Sequence, residues 1–114
     1  MKINGVEFDI DFTDADVLEK IEQGSKEVYK KAEELKTSEY TPAEGIRQEC
    51  KILKDFLDYV LGEGSSKKIF GDKNSLQECL NVYEDIINTR EKQYSTFVEK
   101  VSKYSPDRLK RWTY

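Results

Sequence analysis

The chain has 114 residues, of which 37% are apolar and 37% charged, and its formal net charge at pH 7 is −4. Residues 1–45 carry a balance of −6 and residues 46–114 a balance of +2, so neither half is basic enough to bind nucleic acid through phosphate neutralisation alone. Because no stretch approaches the ~20 apolar residues that span a bilayer and the N-terminus has no apolar signal region, we expect a soluble, intracellular, single-domain protein.

The first twelve residues predict a β-hairpin. Asn4-Gly5 is a favoured two-residue turn because both residues tolerate the positive φ that such a turn requires. After the turn, apolar residues alternate with carboxylates, which places them on opposite faces of a strand. The apolar set is Val6, Phe8, Ile10 and Phe12, and the acidic set is Glu7, Asp9 and Asp11. A two-stranded ribbon is marginal alone, so we expect its apolar face to pack on helices.

A first helix is predicted from Thr13 to about Lys36. Thr13 and Asp16 have the spacing of a capping box. Gly24-Ser25, in the middle of the helix, would either bend it or permit close packing. The apolar stripe at helical spacing consists of Val17, Leu18, Ile21, Val28, Tyr29, Ala32 and Leu35.

A second helix is predicted to begin at Thr41, where Thr41, Pro42 and Glu44 combine a capping box with proline at the first helical position. Its apolar stripe consists of Ile46, Cys50, Leu53, Leu57, Val60 and Leu61, with Phe56 beside it. Gly62 is a natural stop for this helix.

A third long helix is predicted after Asn74-Ser75, with Ser75 and Glu78 as another capping box. Its stripe begins with Leu76, Cys79, Leu80, Tyr83, Ile86 and Ile87 and continues through Tyr94, Phe97, Val98, Val101 and Tyr104. Because about thirty residues are long for a domain of this size, we expect the second half to protrude or to pack on another subunit. Pro106 stops the helix and leaves the tail DRLKRWTY.

The stretch GEGSSKKIFG, residues 62–71, raises the question of a phosphate-binding loop. A Walker A loop counted from Gly64 would need glycine where Ile69 stands, and a dinucleotide fingerprint would need glycine where Lys67 stands. A helix precedes the stretch where both motifs require a strand. The sequence therefore favours a joint between two helices, with one helical turn over SSKKIF, Ile69 and Phe70 in the core and the two lysines pointing outward.

Other chemistry finds little support in the sequence. The aspartates of DIDFTDAD lack the glycine and the ligand spacing of an EF-hand calcium loop. Histidine is absent, and the distant Cys50 and Cys79 lie on apolar stripes, where buried free thiols are expected. We therefore predict no enzyme activity, no cofactor and no metal site, and leave open whether the two cysteines face each other.

Two kinds of binding surface remain open. The tail residues Arg108, Lys110, Arg111 and Trp112 have a composition that suits RNA or DNA, or else Leu109 and Trp112 dock on the protein. The exposed edge of the hairpin and the second half of the third helix suit a protein partner, unless the helix simply covers the ribbon. The candidate partner-binding residues are Tyr94, Phe97, Val98, Val101, Tyr104 and Trp112.

A family of small phage and prophage proteins of Gram-positive bacteria resembles this chain over residues 2–95. The similar parts are INGVEFDIDF, the charged first helix and FLDYVLGEGSSKKIFGDKNSLQECLNVYEDII, in which GEGSSKKIFG is the most distinctive stretch. Such proteins are placed among tail genes and are thought to be tail assembly chaperones, which coat the tape-measure protein and recruit tail-tube subunits. The resemblance thus implies a protein of the bacterial cytoplasm whose partners are tape-measure or tail-tube proteins.

Together these patterns predict a mainly α single domain over residues 1–114. A β-hairpin (1–12) packs on a three-helix core (13–104) with a one-turn helix between helices two and three, and a C-terminal tail follows (105–114). The expected function is that of a non-enzymatic tail assembly chaperone, and a homo-oligomer is compatible with the long third helix. The alternatives are a small nucleic-acid-binding regulator that uses the basic tail and a structural component of the head–tail joint.

Overall fold

The chain begins with a β-hairpin of two antiparallel strands, β1 (Lys2–Ile3) and β2 (Val6–Glu7), in a computed structural model that describes residues 1–104. Asn4 and Gly5 form the turn with φ of 49° and 81°, which confirms the predicted two-residue hairpin. The prediction of a strand as far as Phe12 was wrong. β1 offers only two residues to pair with, and beyond Glu7 the Phe8 amide still donates to the Met1 carbonyl at 2.7 Å.

The alternation of burial nevertheless continues past the end of β2. Phe12 is only 1% exposed and Phe8 and Ile10 are half-buried, whereas Asp9 and Asp11 are exposed. Residues 8–11 therefore run as an extended segment that leads into a turn at Phe12, and its apolar side packs against the core. The predicted packing of the apolar face is confirmed, although the segment has no strand partner.

Four helices follow within residues 1–104: α1 (Ala15–Leu35), α2 (Pro42–Leu61), α3 (Ser65–Phe70) and α4 (Leu76–Tyr104). With the hairpin, they confirm the predicted mainly α domain in which a short helix separates the second and third long helices. α2 lies at the centre, because it packs on α1, on α3 and on α4. Six of its side chains are buried: Cys50, Ile52, Leu53, Phe56, Leu57 and Val60.

The prediction that Thr13 caps the first helix was wrong. Asp14 is the N-cap, and its Oδ1 accepts from the amides of Asp16 at 2.8 Å and Val17 at 3.4 Å. The Thr13 hydroxyl instead donates to Asp11 Oδ1 at 2.6 Å. A carboxylate is a stronger acceptor than a hydroxyl and is favoured at the positive end of the helix dipole, which explains why the aspartate takes the cap.

The other helix ends agree with the sequence. Thr41 and Glu44 form a complete capping box, with Pro42 as the first residue of α2. Gly62 follows α2 with φ of 116°, a conformation that favours glycine. Before α4, the hydroxyl of Ser75 accepts from the amide of Glu78 at 3.3 Å.

The predicted apolar stripes are partly wrong. Tyr29, Ile46 and Leu80 are exposed, and Ile52, which was outside the predicted stripe of α2, is buried. α1 and α4 each pack mainly on α2, so that only the face of each helix that is turned toward α2 is buried. Residues at the edge of that face stay exposed to solvent. α2 has partners on several sides, and its buried arc is therefore wider than a single stripe.

Gly24 allows α1 and α2 to approach each other closely. A Cβ atom at this position would lie 2.8 Å from Cδ2 of Phe56, closer than real Cβ contacts come. Of the two roles considered for Gly24-Ser25, close packing is therefore the one that the structure supports.

Candidate binding surfaces

The predicted partner-binding residues of α4 share one face of its second half. Tyr94, Phe97, Val98 and Val101 are half-buried, and Tyr104 is 88% exposed. The rings of Tyr94 and Phe97 lie 6.4 Å apart at an interplanar angle of 41°. The stripe thus exists as a continuous helical face, which we call the distal face of α4.

The fully buried side chains of α4 all lie near its start. They are Cys79, Val82 and Ile86. The remaining part, residues 87–104, extends for about 27 Å at 1.5 Å per residue. The distal face therefore lies beyond the part of α4 that the hydrophobic core holds in place.

The extended segment after the hairpin covers part of this face. The amide of Phe12 donates to Oε1 of Gln93 at 2.9 Å. Ile10 and Phe97 line a shallow groove of about 510 Å³, together with Lys92 and Lys100. Around Gln93 and Phe97 the long helix therefore covers the N-terminal segment, which was one of the two alternatives considered for it. Tyr104 lies outside this groove.

A larger groove, which the sequence reasoning missed, runs between α1 and α2 and has a volume of about 710 Å³. Its apolar lining is Gly24, Val28, Ile52, Phe56 and Tyr59. Its charged lining is Asp16, Glu19, Lys20, Glu27, Lys31 and Asp55. Two features of the sequence could have indicated this groove. One is a glycine inside a helix, and the other is the spacing of Ile52, Phe56 and Tyr59, which lie one turn apart on a single face of α2.

The glycine-lysine stretch is a joint, as predicted. α3 forms one short helix in which Ile69 and Phe70 are buried and both lysines are exposed. The carboxylate of Asp58 accepts from the Ser66 amide at 2.8 Å and from the Ser66 hydroxyl at 3.0 Å. These are the kinds of donor that a phosphate-binding loop would offer to a ligand, and here the chain's own carboxylate takes them.

The two cysteines are buried free thiols, as predicted. Burial raises the pKa of the Cys79 thiol to about 12, and a hydrogen bond with the Cys50 side chain adds to the shift. Cys50 and Cys79 are therefore in contact, which the sequence alone could not decide. A thiol with so high a pKa stays protonated at neutral pH and is a poor nucleophile or metal ligand.

Two of the four aspartates of DIDFTDAD, Asp11 and Asp14, accept hydrogen bonds from the backbone. Hydrogen bonds from the hydroxyl and the amide of Thr13 lower the pKa of Asp11, and Asp14 caps α1. Within residues 1–104 no group of three or more Cys, Asp or Glu side chains is arranged to hold a metal ion. Asp11 and Asp14 therefore have structural roles at the start of α1.

The basic tail falls outside the described residues. Arg108, Lys110, Arg111 and Trp112, proposed above for nucleic acid or for a protein partner, all lie in residues 105–114. Among the helices of residues 1–104, none combines the length and the apolar character that crossing a bilayer would require.

Comparison with known proteins places the chain in a family and gives no activity. No curated protein and no solved structure matches it. A family model covers residues 4–114, which is nearly the whole chain and includes the hairpin turn, both surfaces described above and the tail. The protein belongs to DUF6673, a family of unknown function.

Proposed function

We propose that this protein is a non-enzymatic tail assembly chaperone of a phage or prophage, which binds the tape-measure protein and tail-tube subunits in the bacterial cytoplasm. The observation that supports contact as its mode of action is the distal face of α4. An apolar stripe on a helix that extends beyond the core is a surface suited to a protein partner. The phage assignment itself comes from the resemblance of residues 2–95 to such proteins.

The mechanism would be physical. Tape-measure proteins expose long apolar helical surfaces, which aggregate unless they are covered. A small acidic protein that lays an apolar helix face on such a surface removes apolar area from water, at about 25 cal/mol per Å², and leaves its own charged side outward. Tube subunits would then displace the chaperone as they polymerise.

The test is co-expression with the tape-measure protein encoded near this gene. We expect the tape-measure protein to stay soluble and to co-purify with this chain. Phe97→Glu places a charge in the middle of the distal face and should reduce the recovered complex by about tenfold or more, because a buried unpaired charge is costly at an interface.

The matched control is Ser95→Glu, which adds the same charge at an exposed position on another side of α4. It should leave co-purification unchanged. If the tape-measure protein aggregates whether or not this chain is present, the chaperone proposal is wrong. If the chain instead stays in purified particles, it is a structural component such as one of the head–tail joint.

A further inference from the structure

The groove between α1 and α2 is open along most of α1. Its lining on α1 runs from Asp16 to Lys31, and on α2 from Ile52 to Tyr59. At 1.5 Å per residue the lining spans about 22 Å along α1 and about 10 Å along α2, so that both helices flank the groove for about two helical turns. The groove is therefore an elongated slot along a pair of helices rather than a round cavity.

The floor of this slot is apolar. Gly24 brings the two helices close together, and Phe56 fills the space beneath it, with Val28 and Ile52 beside it. Tyr59 is 47% exposed, and its ring lies close to Gly24 and adds a hydroxyl group to the lining. Slots between two adjacent helices are the places where the side-chain ridge of a third helix packs.

The rim of the slot is acidic. Four carboxylates, those of Asp16, Glu19, Glu27 and Asp55, face two lysines, Lys20 and Lys31, for a net charge of −2. Among the described residues, one ion pair involves these groups: Asp55 pairs at 3.4 Å with Lys51, which is not part of the lining. Both of its members are exposed, so the pair contributes little and is easily exchanged for another.

An apolar floor with a carboxylate rim selects one kind of occupant. We propose that the α1–α2 groove binds a basic amphipathic helix from a partner polypeptide, which would contact both α1 and α2 over about two turns. Its apolar side chains, at i, i+3, i+4 and i+7, would contact Val28, Ile52 and Tyr59. Its Lys or Arg side chains would pair with the carboxylates of the rim, whereas the anionic surfaces of membranes and nucleic acids would be repelled.

This inference rests on the contact part of the proposed function and is independent of its assignment to phage tails. It also differs from the distal face of α4 in location and in charge, because the shallow groove beside that face is lined by lysines at positions 92 and 100. A partner with both an apolar and a basic helix could therefore engage two separate surfaces.

The test uses the full chain and a fluorescent synthetic peptide of about sixteen residues, with Leu at the four anchor spacings and Lys at the flanking positions. We expect saturable binding that weakens by about tenfold or more between low and high salt, since exposed charges are screened. A peptide of the same pattern with Glu for Lys should not bind. A basic peptide with scrambled leucines should bind at least about tenfold more weakly, because it presents no apolar stripe.

The variant Glu27→Lys with Asp55→Lys reverses two charges of the rim and should weaken binding of the basic peptide by about tenfold or more. Glu22→Lys with Glu39→Lys is the matched control, because it reverses the same number of charges at exposed positions outside the groove. Equal binding of all three peptides, no binding at all, or equal losses in both variants would overturn the inference.

The outcomes separate this inference from the proposed function. Suppose that the Glu27→Lys, Asp55→Lys variant binds the basic peptide normally and co-purifies with the tape-measure protein as well as the unmodified chain does. The groove inference is then wrong and the chaperone proposal stands. If the peptide binds in the groove and the tape-measure protein fails to co-purify, the inference stands and the chaperone proposal is wrong.

Discussion

Two glycines lie inside helices, and their surroundings differ. A Cβ atom added at Gly24 of α1 would come within 2.8 Å and 3.0 Å of the Phe56 ring, whereas one added at Gly45 of α2 would meet no atom within 4 Å. The ring of Phe56 has little freedom to move, because it is buried and packs edge-on against Tyr83 with the centroids 5.0 Å apart. The same substitution should therefore have opposite effects at the two positions.

We expect Gly24→Ala to lower the free energy of unfolding by about 1–3 kcal/mol, because overpacking outweighs the better helix propensity of alanine. Gly45→Ala should raise it by up to about 1 kcal/mol, since the new methyl group meets nothing and the unfolded chain loses freedom. Urea denaturation followed by circular dichroism measures both. Stabilisation by Gly24→Ala would mean that α1 and α2 are not in close contact at this point.

At the scale of elements, α3 depends on a side chain outside it. A helix of six residues is too short to be stable alone. Gly64, its N-cap residue, has no side chain with which to cap it, and the carboxylate of Asp58 in α2 binds both the amide and the hydroxyl of Ser66 instead. This contact also fixes the turn between α2 and α3.

We expect Asp58→Ala to lower the free energy of unfolding by about 1–2 kcal/mol, because it leaves the half-buried amide of Ser66 without an acceptor. Asp72→Ala is the control. It removes an exposed carboxylate that pairs with Lys67 at 3.4 Å, and its effect should stay within about 0.5 kcal/mol. Equal effects of the two variants in thermal or urea denaturation would contradict a structural role for Asp58.

The elements that the sequence predicted well are those with local signals. The bounds of α2 follow from Thr41, Pro42 and Glu44 at one end and Gly62 at the other, all of which act within one turn of the helix. The hairpin turn follows from Asn4 and Gly5 in the same way. Local chemistry therefore determined the order and type of the elements.

The features that the sequence did not predict depend on contacts between elements. The cap of α1 is Asp14 and not the predicted Thr13, whose hydroxyl is held by the carboxylate of Asp11. The burial of Ile52 and the α1–α2 groove depend on how the two helices are oriented relative to each other. The apolar pattern of a single helix does not specify that orientation. The candidate partner-binding residues of α4 lie on one face of the helix, as their spacing indicated, but only the fold revealed how the N-terminal segment covers part of that face.

At the scale of the whole molecule, stability should decrease along α4. Its first part is held by Cys79, Val82 and Ile86 in the core formed around α2. From residue 87 onward its described side chains are at most half-buried, and the hydrogen bond of Gln93 with Phe12 connects this part to the N-terminal segment. Regions with few buried apolar contacts open locally at a smaller free-energy cost than the core does.

We expect the amides of residues 79–87 to exchange with solvent deuterium only on global unfolding, and those of residues 98–104 to exchange about 100-fold faster or more. Gln93→Ala should extend fast exchange toward residue 89 and should expose the amide of Phe12, whose acceptor it removes. Exchange resolved by NMR measures both effects. Uniform protection along α4 would mean that the distal face is covered, and the surface on which the proposed function depends would not be available to a partner.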